Sequence, residues 1–374
     1  MAEPIPAADP RANYLAHRAA IDAAIARVLE SGRYILGPEV ESFERSFAAS
    51  IGAAHAVGTA SGTDALVLAL RALDLGDAYV AAPSHTAVAT VAAIELAGAR
   101  PLLVDIEPGT MTLDPASLAR AFASAPGRIA AVIPVHLYGQ AADLDAILVL
   151  ARRHGARVVE DCAQAHGGLL NGRRLGAFGD IAAFSFYPTK NLGALGDAGA
   201  VVTNDAALAA RVRELREYGW RDRYVSAMPG MNSRLDPLQA AVLGAKLPAL
   251  DAENAARQAL AEIYDVRLAR ARLERPARRA DATHVFHQYV VRHAARDALR
   301  QTLSARGIGT LIHYPVPVHL QAAYRGRVAF APGGLPVSER AAVTVLSLPI
   351  FPELGPARAE TVAAALLDAL NEIR

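Results

Sequence analysis

The amino-acid sequence predicts an α/β fold: a mostly parallel sheet with helices on both faces, followed by a smaller α+β domain. Short, continuous apolar segments alternate with longer helical patterns over the first two-thirds of the chain, which is typical of strands buried on both faces. The 374 residues suffice for two domains, and a 53% hydrophobic composition excludes a disordered chain. After about Pro248 the pattern changes. We therefore predict a large domain over 1–248, including an N-terminal arm, and a small domain over 249–374.

Each element of this fold has a local signal. The predicted strands of the large domain are the short apolar segments 78–82, 101–104, 129–135, 157–160, 181–186 and 200–202. Between them, the spacing of Leu144, Ile147, Leu148 and Ala151 predicts a helix that ends before Gly155. A similar spacing predicts a helix over 208–215. In the small domain we predict helices over 249–271, 297–306 and 357–373 and a strand over 285–291.

Charge and cysteine content limit the compartment and the partners. Lys and Arg number 38 and Asp and Glu number 37, so the net charge of +1 does not favour nucleic-acid binding. The single cysteine, Cys162, cannot form an internal disulfide, which favours a reducing cytoplasm. We find no signal-peptide pattern and no apolar run of about 18 residues. We expect a cytoplasmic protein that binds neither nucleic acid nor membrane.

Three segments carry residues suited to chemistry, and the first opens a helix. Ser61, Gly62 and Thr63 precede an apolar helical run, where free N–H groups and the helix dipole could hold a phosphate. The same residues also fit a plain helix start with Ser61 as the N-cap.

The second segment follows the strand predicted over 157–160. Asp161 stands directly after this strand, where a carboxylate can pair with a cationic group of a ligand or cap a loop. Cys162, beside it, fits a small core residue better than a nucleophile.

The third segment follows the strand predicted over 181–186. Lys190 comes after this buried strand, between Pro188 and several glycines. Burial lowers the pKa of a lysine and frees its amine for imine chemistry, although the same sequence pattern also fits a surface lysine in a glycine-rich turn. The spacing of Gly193, Gly196 and Gly199 does not match a dinucleotide-binding fingerprint, so a dehydrogenase is disfavoured.

The combination is more specific than its parts, because a phosphate cradle, a carboxylate and an imine-forming lysine are what pyridoxal 5'-phosphate requires. In their order and separation these segments resemble fold-type-I pyridoxal-phosphate enzymes, and the chain is similar to the nucleotide-sugar aminotransferase family. The matching stretches, in chain order, are SGRYILGPEVESFE, HAVGTASGTDALVLALRAL, PVHLYGQAADLDAI, VVEDCAQAHG, AFSFYPTKNLGALGD, NSRLDPLQAAVL and HYPVPVHL.

The resemblance implies roles for individual residues. Lys190 would form the covalent link to the cofactor, and Asp161 would pair with the protonated ring nitrogen. Gln164 would hydrogen-bond the phenolic oxygen of the ring. The residues implied for the phosphate are Gly62, Thr63, Ser185 and Asn232. Family members contribute this asparagine from a neighbouring subunit, which implies a homodimer with a shared active site.

On the sugar side the resemblance implies that Tyr187, Arg223 and His313 contact a nucleotide-linked ketosugar. Arg223 stands where lysine is usual, and Ala87 stands where relatives often stack an aromatic ring on the cofactor, which leaves His85 or a smaller contact in its place. No residue set near His313 and His319 completes a metal site, so we expect none.

The resemblance is greatest to family members that aminate the third carbon of a sugar. We expect a pyridoxal-phosphate-dependent aminotransferase that converts a dTDP-linked 3-keto-6-deoxyhexose to the 3-amino sugar, with L-glutamate as donor. A 4-aminotransferase and a non-catalytic regulatory protein that binds the cofactor remain alternatives. The related 3-dehydratases are disfavoured, because they replace the lysine by histidine and Lys190 is present.

Overall fold

The computed structural model of the chain describes residues 3–373. It contains each of the helices predicted from the spacing of apolar residues, although the helix predicted over 249–271 ends at Arg267. The helices of this part of the chain are α1 Pro10–Ala16, α2 Arg18–Ser31, α3 Pro38–Ile51, α4 Gly62–Ala72, α5 Val88–Leu96, α6 Pro115–Ser124, α7 Leu144–Arg153, α8 Ala206–Leu215, α9 Pro237–Lys246, α10 Leu250–Arg267, α11 Arg296–Ala305, α12 Pro336–Thr344 and α13 Gly355–Glu372. Within the described residues, no helix combines the length and the hydropathy needed to cross a bilayer.

The strands are short. In chain order they are β1 His55–Thr59, β2 Tyr79–Pro83, β3 Arg100–Val104, β4 Ile129–Val132, β5 Arg157–Asp161, β6 Leu169–Leu170, β7 Arg173–Arg174, β8 Ile181–Ser185, β9 Gly199–Thr203, β10 Trp220–Asp222, β11 Val225–Ser226, β12 Ala282–Thr283, β13 Tyr289–Arg292, β14 Ala329–Phe330 and β15 Val345–Leu348.

The main sheet has eight strands in the order β1-β9-β8-β5-β4-β2-β3-β14. The strands from β8 to β14 run parallel, and β9 pairs antiparallel with both β8 and β1. Successive side chains face opposite sides: Val201 packs in a core with α4 and α8, whereas Val202 packs with Phe47 of α3. Helices therefore cover both faces, and the predicted fold class is confirmed.

The two edge strands of this sheet, β1 and β14, were not predicted from the sequence. β1 is short and contains a histidine and a glycine, so it lacks a continuous apolar pattern. β14 has two residues and comes from the C-terminal part of the chain. The strand predicted over 285–291 begins only at Tyr289, because Phe286 has a positive φ of 44° that extended strands do not adopt.

The C-terminal part of the chain has a core of its own. β13 pairs antiparallel with β15, and α10, α11 and α13 pack around that pair. It is also tied to the main sheet, because Asp105, at the end of β3, accepts hydrogen bonds from the N–H groups of Val337 and Ser338 at the start of α12. The division at residue 248 remains a prediction.

Candidate active site

Helix α4 begins against strand β8, and the junction forms a narrow cradle. Ser61 Oγ accepts a hydrogen bond from Asp64 N–H at 3.1 Å, so Ser61 caps the helix. The N–H groups of Gly62 and Thr63 lie in the first turn, beyond the reach of the helix carbonyls. A Cβ on Gly62 would lie 2.4 Å from Ser185 Cβ, so only glycine fits here. Two backbone donors and the Ser185 side chain thus meet at the positive end of a helix, as an anion requires.

Asp161 is the last residue of β5, and its side chain is buried. Its Oδ1 accepts a hydrogen bond from Ala163 N–H at 3.1 Å, and its Oδ2 accepts one from the Thr90 hydroxyl at 2.9 Å. Burial raises the pKa of Asp161, while these bonds and the charge of Lys190 oppose the rise. A desolvated carboxylate of this kind is strongly stabilised by a cationic partner.

Lys190 follows β8 in a turn closed by its N–H, which donates to the Tyr187 carbonyl at 2.8 Å. Burial lowers the pKa of Lys190 to about 8, although the Asp161 carboxylate opposes the shift. The sequence contains one other lysine, Lys246, whose Nζ donates to the Gly193 carbonyl in the core. Lys190 is therefore the lysine whose amine lies near the buried acid, and its depressed pKa makes it a usable nucleophile and base near neutral pH.

Gln164 bonds two tyrosines that were not predicted from the sequence. Its Oε1 accepts from Tyr138 N–H at 2.7 Å, and its Nε2 donates to the Tyr314 hydroxyl at 3.0 Å. Burial and the charge of Asp161 raise the pKa of Tyr314. Tyr314 could have been suspected because it adjoins His313, whereas Tyr138 carries no local sequence signal.

His85 reaches the same site from the end of β2. The Tyr138 hydroxyl donates its single proton to the His313 carbonyl, so His85 Nε2, 2.8 Å from that hydroxyl, must be the donor. Its Nδ1 is then a buried acceptor without a hydrogen-bond partner in the described part of the chain. Burial lowers the pKa of His85 to about 4, which keeps the ring neutral.

Hydrogen bonds of the His313 and His319 side chains fix the two ends of the segment 313–319. His313 Nδ1 lies 2.9 Å from Ser347 Oγ, and burial together with the charge of Lys190 lowers the pKa of His313 to about 4. His319 bonds Ser84 Oγ at 2.7 Å and Glu339 Oε1 at 3.1 Å. These contacts occupy ring nitrogens that a metal would need.

The remaining predicted site residues are exposed. Tyr187 is 52% exposed beside the Lys190 turn. Arg223 and Asn232 lie in the segment 218–235, and the Arg223 guanidinium stacks 4.9 Å from the ring centroid of the exposed Tyr224. Within residues 3–373, neither Arg223 nor Asn232 forms a hydrogen bond or ion pair with the other predicted site residues. A single chain thus assembles the cradle, the acid and the lysine, but not these two side chains.

A second buried acid stands next to Asp161. Glu160 accepts hydrogen bonds from the N–H groups of Gly176, Phe178 and Gly179, and its Oε2 lies 3.2 Å from His136 Nε2. His136, Glu160 and Cys162 place possible metal-ligand atoms within 4.8 Å of one another. The oxygens of Glu160 are already engaged, so this group acts as a structural clamp on the loop after β7.

Comparison with known families decides the class of the protein. The sequence profile of the DegT/DnrJ/EryC1/StrS aminotransferase family matches residues 16–367. The chain belongs to this family. The predicted family and the predicted enzyme class are thereby confirmed.

Relatives within the DegT/DnrJ/EryC1/StrS family match almost the whole chain. A dTDP-3-amino-3,4,6-trideoxy-alpha-D-glucose transaminase of Streptomyces venezuelae is 50% identical, with 98% of this chain and 96% of the relative covered. A UDP-N-acetyl-3-dehydro-alpha-D-glucosamine 3-aminotransferase of Acidithiobacillus ferrooxidans is 43% identical, with 98% of each covered. The crystal structure of S. venezuelae DesV in complex with a ketimine intermediate superimposes with a TM-score of 0.95 at 50% identity, covering 99% of both chains.

Pyridoxal phosphate, the cofactor of this aminotransferase family, fits the residues that the chain brings together. The glycine cradle at α4 suits a phosphate, the buried Asp161 suits a protonated ring nitrogen, and the amine of Lys190 suits an aldehyde. The unpartnered Nδ1 of His85 adds a polar atom that a bound group could satisfy. The predicted cofactor is confirmed at the level of the family.

Proposed function

We propose that the protein converts a dTDP-linked 3-keto-6-deoxyhexose to the 3-amino sugar, with L-glutamate as amino donor. The chemistry rests on one observation: the amine of Lys190 lies near the buried carboxylate of Asp161 at the carboxyl edge of the main sheet. The choice of substrate rests on the full-length relative named for a dTDP-3-amino sugar. Amination at the third carbon also agrees with the name of the relative that acts on a UDP-linked sugar.

The cofactor would be held by residues of one chain and by Asn232 of a second copy of the chain. Gly62, Thr63 and Ser185 hold the phosphate, Asp161 holds the ring nitrogen protonated, and Gln164 donates to the phenolic oxygen with the amide hydrogen that does not bond Tyr314. When bound, pyridoxal phosphate supplies an electron-withdrawing ring and an aldehyde that carries the amino group from donor to ketone.

Lys190 serves this chemistry in two ways. Its neutral amine would form the covalent attachment, and once released it would be the base that moves a proton between the donor carbon and the aldehyde carbon of the cofactor. The pKa of about 8 keeps a useful fraction of the amine neutral near physiological pH. Two half-reactions through one cofactor imply ping-pong kinetics.

Tyr187, Arg223 and His313 would bind the nucleotide-sugar. His313 is neutral and fixed by Ser347, which suits a hydrogen bond to a sugar hydroxyl. Arg223 has an exposed guanidinium, which stacks on Tyr224 and suits a diphosphate. Because Arg223 and Asn232 stand apart from the buried residues in one chain, we propose a homodimer in which each chain completes the site of the other. A single buried, free Cys162 agrees with a cytoplasmic location.

The deciding experiment incubates the purified protein with pyridoxal phosphate, L-glutamate and a matched panel of dTDP- and UDP-linked 3-keto and 4-keto sugars. Mass spectrometry and NMR then give the product mass and the position of the amine. We expect a 3-amino product, formed fastest from the dTDP-linked 3-keto sugar. Exclusive amination of the fourth carbon would replace this proposal with the 4-aminotransferase. Cofactor binding without turnover of any sugar would favour the regulatory alternative.

A further inference from the structure

Two buried threonines stand behind Asp161. Thr90 and Thr86 are 0% and 2% exposed; Thr86 precedes helix α5, and Thr90 lies in its first turn. The Thr90 hydroxyl lies 2.9 Å from Asp161 Oδ2, and the Thr86 hydroxyl lies 3.0 Å from the Thr90 hydroxyl. A threonine in the first turn of a helix commonly bonds its own backbone, but Thr90 reaches a side chain 71 positions away.

The direction of these hydrogen bonds follows from counting protons. An ionised carboxylate can only accept, so Thr90 gives its single hydroxyl proton to Asp161. Thr90 Oγ1 can then only accept from Thr86, so Thr86 donates. The chain Thr86 to Thr90 to Asp161 therefore has a fixed direction while Asp161 is ionised.

We propose that Thr90, polarised by Thr86, is a positioning residue that holds Asp161 ionised and fixed in orientation for the ring nitrogen of the cofactor. The proposal rests on the role of Asp161 under Proposed function. Its physical basis is that Asp161 is buried and has one donor on each oxygen: Ala163 N–H on Oδ1 and Thr90 on Oδ2. Removing the Thr90 hydroxyl leaves Oδ2 without this donor in a desolvated site, which favours the neutral acid.

Other charged and titratable groups face Asp161, and a substitution at Thr90 alters none of these residues. Lys190, after β8, and His136, before the loop to α7, favour the ionised form. Tyr314, from the C-terminal part, and Cys162, next along the chain, are neutral groups with raised pKa values. Glu160 points into its own clamp of backbone donors. A change seen in a Thr90 variant is therefore attributable to the lost hydroxyl.

The experiment measures the dissociation constant of pyridoxal phosphate for the cofactor-free full chain by equilibrium dialysis across a range of pH. Thr90→Val removes the hydroxyl at nearly constant shape, Thr90→Ser restores it, and Thr86→Val removes only the second link. Thr310→Val is the matched control, because the Thr310 hydroxyl is buried without a hydrogen-bond partner among the described residues. Circular dichroism checks that each variant is folded.

We expect Thr90→Val to bind the cofactor about tenfold more weakly at neutral pH, since hydrogen bonds to charged groups are worth about this factor. The acid limb of its binding profile should move up by about one pH unit, because a raised pKa of Asp161 delays ionisation. Thr90→Ser should return to the wild-type profile. Thr86→Val should shift in the same direction but less, and Thr310→Val should not shift.

An acid limb that stays in place in Thr90→Val, or that moves equally in Thr90→Ser, would overturn the positioning role. If Thr90→Val does not fold, Thr86→Val carries the test, and an unmoved acid limb there would overturn the directed chain. These outcomes differ from failure of the proposed function. In that case the wild-type protein itself would hold no cofactor at any pH, or would hold it and form no 3-amino sugar, whatever the Thr90 variants do.

Discussion

The two halves of the candidate site differ in how much of each a single chain completes. The buried floor, formed by Asp161, Gln164 and Lys190 at the ends of β5 and β8, is held by hydrogen bonds within the chain. The exposed segment 218–235, which carries Arg223 and Asn232, presents large side chains to solvent, and Tyr224 is 71% exposed. The floor is therefore preorganised for chemistry by the fold itself. The exposed segment gains a function only when something packs against it.

Lys190→Ala gives the largest expected effect on the floor. Turnover should fall by about 10⁴-fold or more, because both the covalent attachment and the base are lost. The visible absorbance of the bound cofactor should disappear as well, while circular dichroism stays unchanged. Lys190→Arg, which keeps a cation at the same place, should be equally inactive. A Lys190→Ala protein that still transfers amino groups would refute the role of this lysine.

Mixing two inactive variants tests whether the exposed segment serves a partner. Asn232→Asp should abolish activity by bringing a negative charge to the cofactor phosphate, as Lys190→Ala does by removing the amine. Half of the dimers in an equal, randomly reassorted mixture are mixed, and each has one intact site, so about one quarter of wild-type activity should return. A mixture as inactive as its components would indicate that Asn232 acts within its own chain.

Substitutions of the two adjacent acids on β5 should have different effects, one on catalysis and the other on stability. Asp161→Asn should lower kcat at least about a hundredfold with little change in melting temperature, because an electrostatic partner of the cofactor is lost. Glu160→Gln should mainly destabilise the fold, by about 3 kcal/mol, since Glu160 clamps three backbone N–H groups. Kinetics and thermal unfolding of both variants provide the measurement. Equal loss of stability in both would remove the distinction between the two acids.

Arg223→Ala should produce a smaller effect that is confined to the sugar half of the reaction. We expect the KM for the nucleotide-sugar to rise about tenfold while the half-reaction with L-glutamate is unchanged, because an ion pair to phosphate is lost. Arg221→Ala is the matched control, since Arg221 is exposed on the same hairpin and pairs with Glu214. A similar KM increase in both variants would point to general electrostatic attraction instead of a specific contact.

The pH dependence of covalent attachment gives a graded test of the floor. The rate at which the cofactor-free protein attaches pyridoxal phosphate should rise with pH through a midpoint near 8, because the neutral amine of Lys190 becomes available above its lowered pKa. Stopped-flow absorbance follows the reaction. A midpoint near 10.5, the ordinary pKa of a lysine, would show that the amine is solvated rather than buried.

The floor could be predicted from sequence because its residues come directly after apolar strands or at a helix start. Parallel strands bring their carboxyl ends to one edge of a sheet, so Asp161 and Lys190 had to be close once β5 and β8 were recognised. The family resemblance assigned Gly62 and Ser185 to the phosphate, and the structure brings them together; the cap of Ser61 was predicted from the local sequence.

The rest depended on contacts between distant parts of the chain. Thr90 reaches Asp161 from inside a helix, and Tyr138 reaches Gln164 from another loop, so neither has a local pattern that marks it. Strand β14 has only two residues and exists because β3 offers an open edge. The resemblance to a family suggested Arg223 and Asn232, and the second chain that we propose for their contacts is not described by one sequence.

The role of Lys190 is tested by locating the covalent bond between the protein and the cofactor. The holoenzyme is treated with borohydride, which fixes the bond between lysine and cofactor, and is then digested and mapped by mass spectrometry. Because Lys190 and Lys246 are the two lysines of the sequence, the label on a lysine can fall on one of two peptides, and each serves as the control for the other. We predict the mass of the reduced cofactor on Lys190 alone. Label on Lys246, or no label in a protein that retains the cofactor, would contradict covalent attachment at Lys190.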